Sequence, residues 1–95
     1  MKLENADYKF IRFVKSANPK KKYDAVLLNK KTGGEKRVSF GDSSLEHYKD
    51  TTGKGIWSHK NHLDTKRRDA YYARHGADHG FPSASFFAHN YLWAK

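Results

Sequence analysis

The hydrophobic positions fall into two regimes along the chain. Residues 7–16 mix Tyr8, Phe10, Ile11, Phe13 and Val14 with Lys9, Arg12 and Lys15. Rings and β-branched residues of this kind favour a strand, although the alternation is imperfect. Asn18-Pro19-Lys20-Lys21-Lys22 breaks the run and reads as a turn bearing a basic cluster. Residues 23–29, Tyr23-Asp24-Ala25-Val26-Leu27-Leu28-Asn29, form a second strand pattern. Lys30-Lys31-Thr32-Gly33-Gly34 predicts a hairpin turn, its glycines free to take positive φ. A strand returns over Glu35 to Phe40, with Val38 and Phe40 on one face and Arg37 and Ser39 on the other, and Gly41-Asp42 ends it.

Beyond that point the period changes. Ser43 to Leu63 carries no regular pattern; a turn of helix near Ser44–Tyr48 and anchoring by Tyr48, Ile56 and Trp57 are the expectations there. Asp64 has the character of an N-cap, its carboxylate able to accept from free amides of a first turn. Thr65 to His75 follows as a helix, with Gly76 as its C′ residue and an Asp64–Arg68 pair at i,i+4. Pro82 suits the first turn of a second helix running to Trp93, whose apolar surface holds Phe86, Phe87, Tyr91, Leu92 and Trp93. The expectation is one α+β domain over residues 1–95: a small antiparallel sheet in the N-terminal half, then two short helices.

Composition sharpens this picture. Only 37% of residues are apolar, so the core must be thin, and six Phe, six Tyr and two Trp must supply much of it. Such a core suits a protein that completes its burial against a partner. Cysteine is absent, which removes disulfides, thiol nucleophiles and thiolate metal ligands, and fits assembly in a reducing compartment. No apolar run approaches the length of a membrane span, and Met1-Lys2-Leu3-Glu4-Asn5 lacks the apolar stretch of a signal peptide.

The net charge of +9 changes the picture most. It favours polyanionic or acidic partners. Lys20, Lys21, Lys22, Lys30 and Lys31 in the turns, with Lys66, Arg67 and Arg74 on the first helix, are the candidate contacts. Their dispersion suits a general electrostatic hold better than base reading, and a solvated face is the plain alternative for the helical set. Two catalytic or metal patterns carry less weight. His59, His62, His75 and His79 have zinc-finger spacing, but with imidazoles in both thiolate places and Gly76 tending to end the helix. Asp78-His79-Gly80-Phe81-Pro82 resembles the start of an HNH nuclease motif; His89 and Asn90, its only following partners, lie in a segment that reads as core.

One set of residues is familiar as a group: Val38-x-Phe40-Gly41, then Tyr48-x-Asp50-x-Thr52, then His62-x-Asp64-x-x-Arg67-Arg68-x-x-Tyr71-x-x-Arg74-His75, and a terminal Leu92-Trp93. Over roughly residues 22–94 the chain resembles a family of short, basic, largely uncharacterised proteins of large double-stranded DNA viruses of eukaryotes, with similar proteins in some phages. The run from His62 to His75 is the most specific part. The segment Ser43–His47 is longer here than in many members. The resemblance implies a minor capsid protein that cements or lines the shell of a virion assembled in host cytoplasm or nucleus. Its implied partners are the major capsid protein, other minor capsid proteins and, in a genome-packaging alternative, viral DNA. It implies no cofactor and no catalytic residue. His62, Asp64, Arg68, Tyr71, His75 and Trp93 would then have internal duties, fixing the loop–helix junction.

Overall fold

The computed structural model describes residues 3–94, so that Met1 and Lys2 of the opening segment lie outside it. Three strands, β1 (Tyr8–Lys15), β2 (Lys21–Asn29) and β3 (Glu35–Asp42), form an antiparallel meander in the order β1-β2-β3. Two helices follow, α1 (Thr65–His75) and α2 (Ala84–Tyr91), giving an α+β fold. Among the described residues no helix is long and apolar enough to cross a membrane.

The imperfect alternation of β1 has a structural cause. Phe10 pairs with Leu27 and Arg12 with Val26, so the register shifts by one residue at Ile11. Phe10 and Phe13, three apart in sequence, would otherwise point to opposite faces; the extra residue brings both to one face. There they meet Tyr23, Ala25 and Leu27 of β2, Phe40 of β3, and Phe87 and Leu92 from the C-terminal segment. Phe87 is fully buried, 6.0 Å from the Phe13 ring and 5.6 Å from the Phe40 ring. This aromatic layer between sheet and α2 is the core.

On the opposite sheet face Arg12, Val26 and Arg37 form one cross-strand row. Beside it the buried Asp24 accepts hydrogen bonds from Ser16 Oγ (2.7 Å) and Ser39 Oγ (2.5 Å), so one carboxylate ties all three strand regions.

Several boundaries differ from the sequence expectation. β2 begins at Lys21, inside the expected basic turn, because Lys21 pairs with Asp42 and β3 runs on through Gly41 and Asp42. No helical turn forms at Ser44–Tyr48; His47 instead bridges to Asn61 in parallel fashion. Ile56, expected as an anchor, is 40% exposed, whereas Trp57 donates from its indole Nε1 to Lys22 O at 3.0 Å. Pro82 precedes α2 rather than entering it: Ser83 is the N-cap, accepting from the Phe86 amide, and the helix ends at Tyr91.

Candidate polyanion and partner interface

α1 follows its sequence signals closely. Asp64 caps it, accepting from the amides of Lys66 (2.9 Å) and Arg67 (3.3 Å), and Gly76 closes it at φ 66. The helix is nonetheless polar almost all round, and Tyr71 is its one buried residue. A helix of that kind is not held by its own hydrophobic stripe. Its attachments are individual contacts.

Most of them converge on the end of α2. The Tyr71 ring stacks on Trp93, centroids 4.2 Å apart and planes 4° from parallel. His89 lies within hydrogen-bond reach of Tyr71 Oη through Nδ1 (3.0 Å) and of Gly76 O through Nε2 (3.0 Å). A carbonyl only accepts, so Nε2 carries the proton, and the Tyr71 hydroxyl donates to Nδ1. Burial, with the neighbouring Tyr72 phenol, pushes the Tyr71 hydroxyl up to about 12, so it stays a donor. Tyr72 Oη donates to the carbonyls of His89 (3.2 Å) and Trp93 (2.7 Å). His75 packs beside Tyr71, ring centroids 4.4 Å apart.

The other end of α1 rests on the 43–63 loop. Arg68 does not pair with Asp64; its guanidinium lies 4.5 Å from the Tyr48 ring centroid, a cation–π contact that draws it inward. Arg67 instead reaches Glu46 at 2.9 Å. His62 accepts from the Asp64 amide through Nδ1 (2.9 Å) and lies 5.2 Å from the Trp93 ring, joining cap and tryptophan. Leu63, immediately before the cap, holds φ 56 with 58% of its surface exposed. That backbone region is strained for a leucine, and here little burial offsets it.

Beneath the loop lies a buried polar hub that periodicity gives no sign of. His47 is fully buried, with Nε2 2.6 Å from Asn61 Oδ1, which also accepts from the Asp50 amide at 2.8 Å. The imidazole therefore donates from Nε2. Burial, reinforced by the Lys22 ammonium, pushes its pKa down to about 4. Asp50 accepts from Tyr23 Oη, Thr52 and the Trp57 amide; burial raises its carboxyl, but these hydrogen bonds outweigh that and hold it below the usual range. The His47–Asn61 pairing and the Asn61 bond to the Asp50 amide were missed from sequence because the paired residues lie 14 and 11 residues apart. Among the described residues, His47 Nδ1, His62 Nε2 and Arg68 Nε are buried without a hydrogen-bond partner, all three in this loop–α1 junction.

The structure redistributes the expected cationic contacts. Lys22 is only 2% exposed and donates to Leu45 O at 2.6 Å; burial draws its pKa down to about 8. It is an internal strut, not part of an exposed turn cluster. Lys30 and Lys31 form ion pairs with Glu4 and Asp7, which reduces their reach to outside anions. Lys20 and Lys21 remain exposed at the opposite end of β2. At about 3.4 Å per residue that strand separates the two lysine groups by more than a Debye length of about 8 Å, so they act as separate patches. Lys66, Arg67, Arg74 and His75 are exposed on α1.

The histidines of the zinc-like spacing do not gather. His59 stacks on Trp57, His62 and His75 serve the α1 junction, and His79 is exposed ahead of α2. Among the described residues no three His, Cys, Asp or Glu are placed to hold a metal ion. Of the nuclease-like residues, His89 tethers α1, and Asn90 donates to Phe86 O at 2.8 Å within α2.

Between α1, α2 and the segment following β3 runs a cleft of about 230 Å³. Leu45, Arg74, His75 and Trp93 line it, with Asp42 and Glu46 on the loop side. Gly41 shapes its inner wall at φ 78, where a Cβ would come within 2.8 Å of Leu92 and 3.2 Å of the Lys22 stem. No protein-family model, curated protein or solved structure matches the chain.

Proposed function

We propose that the chain is a non-enzymatic structural protein of a virus particle, a minor capsid component that cements or lines the shell. The observation that carries the proposal is α1. It exposes Lys66, Arg67, Arg74 and His75 yet buries only Tyr71, and specific tethers from Trp93, His89 and Tyr48 hold it in place. A helix that adds so little to its own core, yet is oriented by specific contacts, serves a neighbour. The sequence resemblance supports the kind of neighbour: major and minor capsid proteins. The thin aromatic core agrees, since binding to an assembly stabilises a small fold by mass action.

Quantitative mass spectrometry of purified particles tests this reading. A fixed ratio to the major coat protein that survives nuclease digestion and high salt is the expected result. Absence from particles would overturn it.

A second reading, genome packaging or condensation, draws on the exposed lysines and the net charge of +9. It predicts that the protein leaves the particle together with the DNA. It also predicts that DNA affinity falls steeply with salt and shows little sequence preference.

A further inference from the structure

We propose that the cleft between α1 and the segment 41–46 is the docking site for an acidic segment of a partner protein, one that sets a Leu-, Phe- or Tyr-sized side chain beside a carboxylate. This deepens the reading of the chain as a shell component by naming the partner chemistry and the residues that meet it.

Arg67, Ala70 and Arg74 are spaced i, i+3 and i+7, so they lie along one face of α1; they wall a second hollow that adjoins the cleft and shares Leu45, Glu46, Arg74 and Trp93 with it. The facing wall carries Leu45, a residue 59% exposed although Lys22 pins its carbonyl from beneath. Trp93 lies between the walls, its ring fixed by the Tyr71 stack. A rigid aromatic surface opposite an exposed leucine suits one inserted apolar side chain.

Charge decides between a peptide and a nucleic acid. Arg74 makes no ion pair among the described residues, and His75 adjoins it on the rim. Asp42 and Glu46 stand on the loop side of the same cleft. Those two carboxylates oppose a continuous run of phosphates but leave Arg74 free for a single carboxylate. The apolar surface between them offers a phosphodiester chain nothing, whereas it rewards an apolar side chain. Glu46 already shows the geometry, since its carboxylate occupies Arg67 at 2.9 Å. An incoming acidic residue repeats that contact about two turns along the helix at Arg74 and competes with Glu46 for Arg67.

The test is a titration of the full chain with a library of amidated hexapeptides, each with Leu, Phe or Tyr flanked by Asp and Glu, followed by backbone-amide and indole NMR shifts. The expected result is perturbation at Leu45, Ala70, Arg74 and the Trp93 indole. Arg74→Ala should weaken binding by about tenfold, as loss of a charged contact in a partly desolvated cleft does, and Glu46→Gln should strengthen it by about two- to threefold by freeing Arg67. Leu45→Asp, at an exposed position that spares the fold, should abolish it. Shifts confined to Lys20, Lys21 or the open sheet face would overturn the proposal. So would binding unaffected by Arg74→Ala, or a DNA duplex that displaces the peptide from these same residues. Particle composition is read separately: a chain present in particles whose cleft binds no acidic peptide sinks the docking site alone, and a peptide-binding chain absent from particles sinks the shell reading alone.

Discussion

The sheet with α2 and the loop with α1 are built on different physical terms. In the first, Phe13, Tyr23, Phe40, Phe87 and Leu92 exclude water from a continuous aromatic layer, and burial is the dominant stabilising term. In the second, α1 has one buried residue, and its position depends on a stacked pair, a histidine with both nitrogens engaged, and a guanidinium over a tyrosine. The first region holds the fold together. The second positions a cationic helix with contacts that add specificity more than burial, and leaves three buried nitrogens without partners among the described residues. Within one small chain, stability and display are thus separated in space, with Leu92-Trp93 as the join: Leu92 sits in the core and Trp93 under α1.

The comparison breaks hardest in the core. Phe87→Ala should cost about 3–5 kcal/mol, enough to unfold a small domain, and chemical denaturation monitored by tryptophan fluorescence would show it. Gly41→Ala should come close behind, at about 2–4 kcal/mol, because the new Cβ meets Leu92 at a backbone φ of 78.

Acid should act on the hub. Unfolded His47 protonates near its ordinary 6.5, while the folded protein resists protonation down to about 4. The unfolded state binds more protons across that window, so stability falls as pH drops from about 6.5 to about 4, by up to about 3 kcal/mol. Asp50, held below the usual carboxylate range, adds loss in the same direction as pH falls through its folded pKa. His47→Gln should flatten this part of the profile in melts recorded across pH.

The tethers should give smaller, local effects. Tyr71→Phe removes the hydroxyl and leaves His89 Nδ1 without its donor, a loss of about 1–2 kcal/mol. Its mark is faster hydrogen exchange over 65–76 with β2 unchanged, which separates loosening of α1 from global destabilisation. Smallest of all, Arg67→Ala should leave the melting temperature within error, because its ion pair with Glu46 is solvent-exposed.

The same division explains what the sequence made legible. The strands, the hairpin glycines, the Asp64 cap and the Gly76 stop are written in local patterns, and each lies close to where those patterns put it. The β1 bulge at Ile11 showed only as broken alternation, since register depends on β2. Lys22 shows the limit more sharply. Three consecutive lysines read as a turn bearing a basic cluster, yet the middle strand carries the third beneath Leu45 and Gly41, which no local rule anticipates. His89, weighed as a following partner of the nuclease-like Asp78–Pro82 run, had the look of core; its service to α1 depends on Tyr71 and Gly76, both more than ten residues earlier. The cleft is less legible still, because it lies between segments that approach only in the folded chain.

Hydrogen exchange resolved along the chain, in the isolated protein and in intact particles, tests the central claim most directly. Free protein should show β2 amides opening only with global unfolding and α1 amides opening at much lower free energy; in particles α1 should become strongly protected while β2 changes little. If α1 is as protected as β2 in the free protein, or stays unprotected in particles, the helix is not a display element completed by a neighbour and the account is contradicted.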